Sequence, residues 1–302
     1  MLRWELGPNS LFFAYLALVS VCFFWGTTYL GIRMALESFP PMALVAGRFT
    51  LSGSALLLFA WRRGMHIPRG PDLWRTALYG FMILGIGNAC LTISELWIPS
   101  SLAALFIAPS PFWMVALEAA LPRGERLRAR VVAGMLLGLA GASILVAPDL
   151  LRQGFSGNVW RGFLILQLGG LSWGAGSIFQ RRHRTPAHPV VSGAVQQLAA
   201  GLIFAIPALL TARPVDWSGR GPWAALYLVV FGSIVGYSSY VYALSRLPVA
   251  LVSIYTYVNP VVAAVLGWLF YREPFGRGEI LALAVIFAGV ALVKRATRPE
   301  PA

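Results

Sequence analysis

Three ionisable side chains of this 302-residue chain fall within long apolar stretches, namely Arg48, Glu95 and Glu118. Charges at membrane depth are costly, which makes these residues candidates for function. The guanidinium of Arg48 could bind a carboxylate through two parallel hydrogen bonds, or it could bond helix-end carbonyls in a structural role. Glu95 could meet an amino group or be a solvated interfacial carboxylate, and we favour the solvated interpretation. Glu118 lies close to Arg123 and Arg126, which favours an interfacial ion pair.

Aromatic and amide side chains in the same stretches could line a binding cavity. Aromatic walls with a few polar groups suit an apolar or aromatic solute, although packing between helices or contact with lipid explains some of these residues. A buried amide needs hydrogen-bond partners, so Asn and Gln are the better polar candidates. The candidates for substrate contact, besides Arg48 and Glu95, are Trp25, Tyr79, Asn88, Trp97, Trp113, Trp173, Gln196, Tyr237, Tyr240, Tyr255 and Asn259.

Residue patterns for catalysis are missing from the sequence. The three histidines, His66, His183 and His188, all fall in loops, and neither G-x-S-x-G nor H-E-x-x-H occurs. Cys22 and Cys90 lie far apart without metal-ligand spacing. No ATP-binding loop of the G-x-x-x-x-G-K-[ST] type is present. We therefore expect no catalytic residue, no metal and no cofactor, and an energy source in a solute or ion gradient.

The composition identifies the environment of these residues. The chain is 58% hydrophobic and only 12% charged, with a mean hydropathy of +0.71, whereas a soluble domain carries about 25% charged residues. A soluble enzyme, a nucleic-acid binder and a disordered protein are poor interpretations. A membrane-spanning helix needs about 20 apolar residues. The sequence predicts an all-α membrane protein with ten transmembrane helices, near 12–36, 41–61, 74–95, 101–121, 131–149, 160–180, 190–210, 222–244, 250–270 and 278–294.

The net charge of +13 marks one side of the membrane. Of the 24 basic residues, 16 fall in the segments on the side of the N-terminus, 7 fall on the other side, and Arg48 lies within a span. Positive charge accumulates on the cytoplasmic side of membrane proteins. Both termini are therefore predicted to be cytoplasmic. The basic residues are dispersed over several short loops, so we expect no nucleic-acid surface.

The two halves of the chain are similar to each other. A shift of 148 residues pairs Trp25-Gly26 with Trp173-Gly174, Pro41 with Pro189 and Glu125 with Glu273. The sequence predicts two repeats, at 1–150 and 151–302. Five spans per repeat would make the second repeat enter the membrane from the opposite side, an architecture common in secondary transporters. The substrate site is expected between the halves, and the shift places Gln196 opposite Arg48 across the symmetry axis.

These residues also resemble a known family, the EamA-type transporters of the drug/metabolite transporter superfamily. The resemblance covers nearly the whole chain. In the first half it is carried by Phe24-Trp25-Gly26-Thr27, by residues 40–49, by Ser101 to Pro111 and by Gly124-Glu125-Arg126-Leu127. In the second half it is carried by Trp173-Gly174, Val249 to Pro260, Arg272-Glu273-Pro274 and Ala288-Gly289-Val290.

The resemblance implies ten helices, cytoplasmic termini and export of small metabolites, and the bacterial members that look similar to this chain include YddG-type exporters of aromatic and other amino acids. We expect a bacterial inner-membrane secondary transporter that exports aromatic and other hydrophobic amino acids by alternating access. The partners would be the substrate and the bilayer, and the chain would act as a monomer or a homodimer. The alternatives are a carrier of drugs, sugars or nucleotide-sugars, a passive channel and a membrane-embedded enzyme.

Overall fold

The computed structural model describes residues 10–98, 100–122, 124, 128–153, 157–183, 185, 187–271 and 277–296. Within these ranges the regular structure is helical, and no β-strand occurs. The first repeat contains α1 (Ser10–Ala35), α2 (Pro41–Arg62), α3 (Pro71–Gly80), α4 (Asn88–Ser94), α5 (Ser100–Ile107), α6 (Ser110–Ala120) and α7 (Ala129–Gln153). The second contains α8 (Gly157–Arg182), α9 (Pro189–Leu210), α10 (Gly221–Tyr227), α11 (Ser238–Arg246), α12 (Val249–Val252), α13 (Tyr255–Tyr271) and α14 (Arg277–Ala296). Glu125 and Glu273, which the repeat pairs, lie outside the described residues, as do Arg123 and Arg126.

Seven helical stretches in the described part of the chain are long and apolar enough to cross a bilayer. They are Leu11–Ala35, Pro41–Arg62, Pro71–Ser94, Leu102–Ala120, Gly157–Arg182, Pro189–Leu210 and Gly221–Arg246. Shorter apolar helices, Ala129–Ile144 and Val249–Val262, fall in the fifth and ninth predicted spans. The helical class is confirmed, and the count of ten crossings stays a prediction.

Proline and glycine set several helix boundaries. Proline is the first residue of α2, α3 and α9, a position where its missing N–H costs nothing because no intrahelical acceptor is available there. In the connection from α2 to α3, Gly64 and Gly70 have φ angles of 63° and 56°. L-residues with a side chain rarely adopt these angles, so glycine permits the tight return.

A π-helical segment interrupts the corresponding span of each repeat. Phe81–Gly87 joins α3 to α4, and Leu228–Tyr237 joins α10 to α11. The shift of 148 residues superposes the two segments along the sequence. A π segment shifts the backbone hydrogen-bond register and occurs often at functional sites. The repeat seen in the sequence therefore extends to an unusual backbone feature that the sequence did not predict.

Exchanging the two repeats approximately reproduces the pattern of contacts between helices. α2 packs most extensively against its own counterpart α9, and α7 packs against its counterpart α14. α1 packs against α13 and the second π segment, while the equivalent α8 packs against α6 and the first π segment. Each repeat therefore completes its core with helices of the other.

Glycines allow the closest of these approaches. A Cβ at Gly53 would lie 2.5 Å from the backbone nitrogen of Leu198, and its counterpart Gly201 lies equally tightly against the backbone of Thr50. Gly134 of α7 and Gly289 of α14 each approach the carbonyl oxygen of the other. Small residues let helix backbones meet closely in membranes. The small-residue face of α7 is thus filled within the chain.

Polarity is distributed as in a protein surrounded by lipid. Large apolar side chains such as Phe12, Trp61 and Leu210 are exposed on the outside, whereas Arg48 and Gln196 are buried. Soluble proteins rarely expose apolar surface on this scale. The buried polar groups lie between the repeats, which is where the candidate site is found.

Candidate functional site

A cavity lies between the two repeats and encloses about 680 Å³ up to its open mouth. Seven of the thirteen residues predicted to contact substrate line it: Trp25, Arg48, Asn88, Trp173, Tyr237, Tyr255 and Asn259. Residues that were not predicted complete the wall: Thr28, Tyr29, Phe49, Leu84, Gly87, Leu91, Ile107, Ser110, Leu166, Gly169, Gly170 and Gly232. Both repeats contribute lining residues, as expected for a site between them.

Trp25 and Trp173, the pair that revealed the repeat, meet in the centre of the molecule. Their rings are 5.3 Å apart between centroids and stand edge to face at 85°. The indole nitrogen of Trp25 donates to the carbonyl oxygen of Gly232 at 2.9 Å, and that of Trp173 donates to the Tyr240 hydroxyl at 3.0 Å. Because both N–H groups already have acceptors, the rings present mainly their apolar faces to the cavity.

Both π segments hold a side chain from the first helix of the opposite repeat. Trp25 of α1 bonds the Gly232 carbonyl in the second segment, and Ser172 of α8 donates to the Met82 carbonyl in the first at 2.8 Å. The changed backbone register makes a carbonyl available to a side chain. The π segments thereby fix the position of Trp25 on α1. On α8 they fix Ser172, the residue next to Trp173.

Arg48 is the cationic group of the cavity. Its Nε donates to the Ser233 hydroxyl at 2.7 Å, and its guanidinium carbon lies 5.0 Å from the centre of the Phe49 ring. The side chain is only 6% exposed. Among the described residues, no carboxylate lies within ion-pair distance of it. A buried cation without an anion is unfavourable, so an anionic ligand would be stabilised here.

Two amides lie near this arginine and the aromatic rings. When the Asn259 amide is oriented so that its nitrogen faces acceptors, the nitrogen donates to the carbonyl oxygens of Cys22 and Tyr255 at 3.2 and 2.9 Å. This leaves its side-chain oxygen directed elsewhere, and Asn259 is almost fully buried in the cavity wall. Asn88 is half-buried at the start of α4, where the first π segment ends. Both amides can supply polar contacts to a ligand.

Gln196 does not face Arg48, which corrects the expectation from the repeat. Its side-chain oxygen accepts a hydrogen bond from the Tyr237 hydroxyl at 2.6 Å, and the α9 backbone at Gln196 packs against Gly80 of α3. The next residue, Gln197, accepts from Ser52 of α2 at 2.6 Å. Ser233, on the second π segment, takes the place beside Arg48 that was expected for Gln196.

A second cavity lies on the other side of this Tyr237–Gln196 hydrogen bond. Tyr79 and Gln196, both predicted to contact substrate, line it with Thr76, Gln180, Arg181, His183, Thr185, Ala187, Pro189, Ser192, Val241, Leu244 and Ser245. The two cavities share no lining residue. The first extends toward the end of the bundle where α1 and α4 end, and the second extends toward the start of α9. The bond between Tyr237 and Gln196 therefore crosses the barrier between them.

The remaining aromatic candidates lie outside both cavity walls. Tyr240 is fully buried behind the tryptophans and shares a 2.6 Å hydrogen bond with Ser177. Trp113 is 38% exposed and donates to Gln167 at 3.2 Å, and Trp97 is 39% exposed. Tyr240 can support the site through Trp173, whereas Trp97 and Trp113 lie where lipid contact is expected.

The two buried glutamates differ from their predicted environments. Glu95 was expected to be solvated, but it is 9% exposed and neither carboxylate oxygen has a hydrogen-bond partner among the described residues. The helix that precedes it, α4, packs against α8, α2 and the first π segment. Glu118 pairs with Arg182 of the second repeat at 2.9 Å. It therefore forms an ion pair as predicted, with an arginine of the other repeat.

The chain matches known proteins over most of its length. The model of the EamA-like transporter family matches twice, at residues 12–147 and 160–295. The chain belongs to the EamA-like transporter family. It is 36% identical over 283 residues to the "uncharacterized inner membrane transporter YedA" of Escherichia coli (strain K12), covering 92% of this chain and 89% of that protein.

Other relatives of this EamA-like transporter extend the comparison. A "probable terminal-alkyne amino-acid exporter" of Streptantibioticus cattleyicolor is 29% identical, with 93% of each chain covered. One solved crystal structure shares the fold with a TM-score of 0.81 at 25% identity, covering 94% of this chain and 97% of the other. The protein is therefore a multi-pass membrane transporter with two EamA repeats. In the described part of the chain, no group of three His, Cys, Asp or Glu residues could hold a metal ion.

Several cavity residues of this EamA-like transporter were missed in the sequence. Thr28 and Tyr29 follow Trp25 by three and four positions, so they share its helix face. This periodicity could have identified them. Ser233 and Gly232 carried no comparable signal, because their position next to Arg48 and Trp25 depends on the second π segment.

Proposed function

We propose that this protein is a secondary transporter that exports aromatic and other hydrophobic amino acids across a bacterial inner membrane. The single observation that carries the proposal is the composition of the first cavity. Aromatic rings of Trp25, Trp173 and Tyr255 form an apolar wall, and Arg48 places an uncompensated cation beside it. A hydrophobic amino acid offers a carboxylate for the guanidinium and an apolar side chain for the rings.

The arrangement of the two cavities supports transport by alternating access. In the proposed topology, with ten spans, inverted repeats and both termini cytoplasmic, the first cavity opens outward and the second opens inward. Because contacts made by one repeat have counterparts in the other, the two repeats can pack together in two nearly equivalent arrangements, one open to each side of the membrane. Rocking of one repeat against the other would break the Tyr237–Gln196 bond and expose the central site to the cytoplasm. The transport unit is one chain, alone or as half of a homodimer.

A carrier of nucleotide-sugars is the alternative that the cavity disfavours. A diphosphate needs several basic or hydrogen-bonding groups, and Arg48 is the one basic residue among those that line the first cavity. The amino-acid exporter among the relatives is consistent with the favoured substrate class. A panel of substrates would distinguish an amino-acid exporter from a carrier of drugs or sugars with the same fold.

The test is counterflow in liposomes that contain the purified protein. Unlabelled phenylalanine inside should drive the entry of labelled phenylalanine, and the neutral phenylalanine amide should compete poorly because it lacks the carboxylate. Arg48→Ala should reduce counterflow at least about tenfold, which corresponds to about 1.4 kcal/mol. Arg62→Ala removes an exposed arginine from the same helix and should have no effect.

Three results would contradict the proposal. Absence of counterflow with every amino acid of a panel would exclude the substrate class. Equal counterflow in Arg48→Ala and wild type would remove Arg48 from the site. Flux without stimulation by substrate on the far side would indicate a channel in place of a carrier.

A further inference from the structure

Glu95 is a buried carboxyl group without a structural partner. It directly follows α4, it is 9% exposed, and both of its oxygens lack hydrogen-bond partners among the described residues. Moving an ionised carboxylate out of water without compensation is very costly, and such a group neutralises instead. The carboxyl is therefore protonated in this conformation.

Its surroundings offer a route by which the proton could leave. Tyr29 and Arg33, one turn apart on α1, are the titratable and charged groups that act electrostatically on Glu95 among the described residues. Within their described residues, the elements that pack against α4, namely α2, α8 and the first π segment, contribute none. Arg33 is exposed, whereas Tyr29 lines the first cavity. A small movement of α1 against α4 would bring the carboxyl toward either the arginine or the cavity water.

Glu95 is also connected to the cavity through its own helix. Its backbone nitrogen bonds the carbonyl oxygen of Leu91 at 3.2 Å, and Leu91 lines the first cavity. The group thus lies one helical turn beyond the cavity wall, toward the outer end in the proposed topology. Glu118 differs, because its carboxylate is paired with Arg182 at 2.9 Å.

We propose that Glu95 is a proton-binding site whose proton is exchanged during the transport cycle. The carboxylic acid exists in the conformation described here, and it dissociates to a carboxylate and a free proton when α1 and the end of α4 move so that the carboxyl meets water and Arg33. Transport would then respond to a pH gradient. This inference rests on the proposed transport function for its coupling, but the protonation state can be tested without any substrate.

The first experiment measures protonation directly. Infrared spectra of the purified protein at neutral pH should contain the carbonyl stretch of a protonated carboxylic acid, and Glu95→Gln should remove it. Glu118→Gln is the matched control and should leave that band in place, because an ion-paired carboxylate contributes nothing to it. If the Glu95→Gln spectrum retains the full band, or if wild type shows none, the proposal is overturned.

The second experiment measures coupling in liposomes with labelled phenylalanine. Wild type should show net flux that changes several-fold when a pH gradient is imposed. Glu95→Gln should show the same flux with and without the gradient, whatever its absolute rate. A gradient response that persists in Glu95→Gln would overturn the proposal, as would net flux in wild type that does not change with the gradient. Absence of any phenylalanine counterflow in wild type would instead contradict the proposed substrate, while the infrared result would still decide the protonation.

Discussion

The hydroxyl of Tyr237 donates to the side-chain oxygen of Gln196 across 2.6 Å, and this bond lies between two cavities that share no wall residue. Tyr237 faces the first cavity and Gln196 faces the second. Both side chains are nearly inaccessible to solvent. The side-chain nitrogen of Gln196 has no hydrogen-bond partner among the described residues. The Tyr237–Gln196 hydrogen bond is therefore part of the barrier between the two cavities.

Tyr237→Phe should weaken this barrier. The substitution leaves a buried acceptor unsatisfied, which costs about 1–3 kcal/mol, and the inward-open packing should become more populated. A cysteine introduced at Ser110, in the first cavity, should then react faster with a membrane-impermeant maleimide from the cytoplasmic side. Tyr242→Phe is the control, because Tyr242 lines neither cavity. Equal reaction rates in wild type and Tyr237→Phe would show that the bond does not close the barrier.

The sequence could predict the centre of the site but not the partners of its polar groups. Trp25 and Trp173 were found because two rare residues recur in equivalent positions, and helices related by symmetry bring such positions together. Gln196 was misplaced because successive residues on a helix point about 100° apart. Whether it meets Arg48 or Tyr237 therefore depends on the rotation of α9. The burial of Glu95 depends on which helices pack against α4, which no local pattern encodes.

Ser233→Ala should weaken substrate binding more than it slows translocation. Ser233 accepts from the Arg48 Nε at 2.7 Å and so acts as a positioning residue for the guanidinium. Hydrogen bonds to charged groups contribute about 1.5–3 kcal/mol, which would raise the half-saturating phenylalanine concentration about tenfold. Ser233→Thr should restore most of the loss. Ser143→Ala removes an exposed hydroxyl bonded to its own helix and should leave the concentration dependence unchanged. A fall in maximal rate alone would argue against positioning.

Gly53→Ala should destabilise the packing between α2 and α9. The added Cβ would lie 2.5 Å from the backbone of Leu198, which cannot move without shifting the helix. Overpacking of this kind costs about 1–3 kcal/mol, so the thermal unfolding temperature in detergent should fall by several degrees. Gly47→Ala on the same helix meets nothing within 4 Å. Because alanine favours helix formation by about 1 kcal/mol over glycine, Gly47→Ala should be neutral or stabilising. If the two variants unfold alike, the close approach is absent in the protein.

Stability should fall in acid where Glu37 loses its bond to Arg220. The carboxylate oxygens of Glu37, in the connection from α1 to α2, accept from Nε and an Nη of Arg220 at 2.8 and 2.6 Å. Hydrogen bonding from Arg220 lowers the pKa of Glu37 below its ordinary value. A group with a lowered pKa stabilises the folded state above its unfolded pKa, about 4.3 for Glu, and this contribution disappears as the pH falls through the folded pKa.

The unfolding temperature of Glu37→Gln should thus lie below that of wild type at neutral pH and converge with it in acid. Because both side chains are about half exposed, the difference should be small and should shrink in high salt. A difference that persists unchanged from neutral pH down through the acidic range would show that the bond between the repeats does not depend on the charge of Glu37.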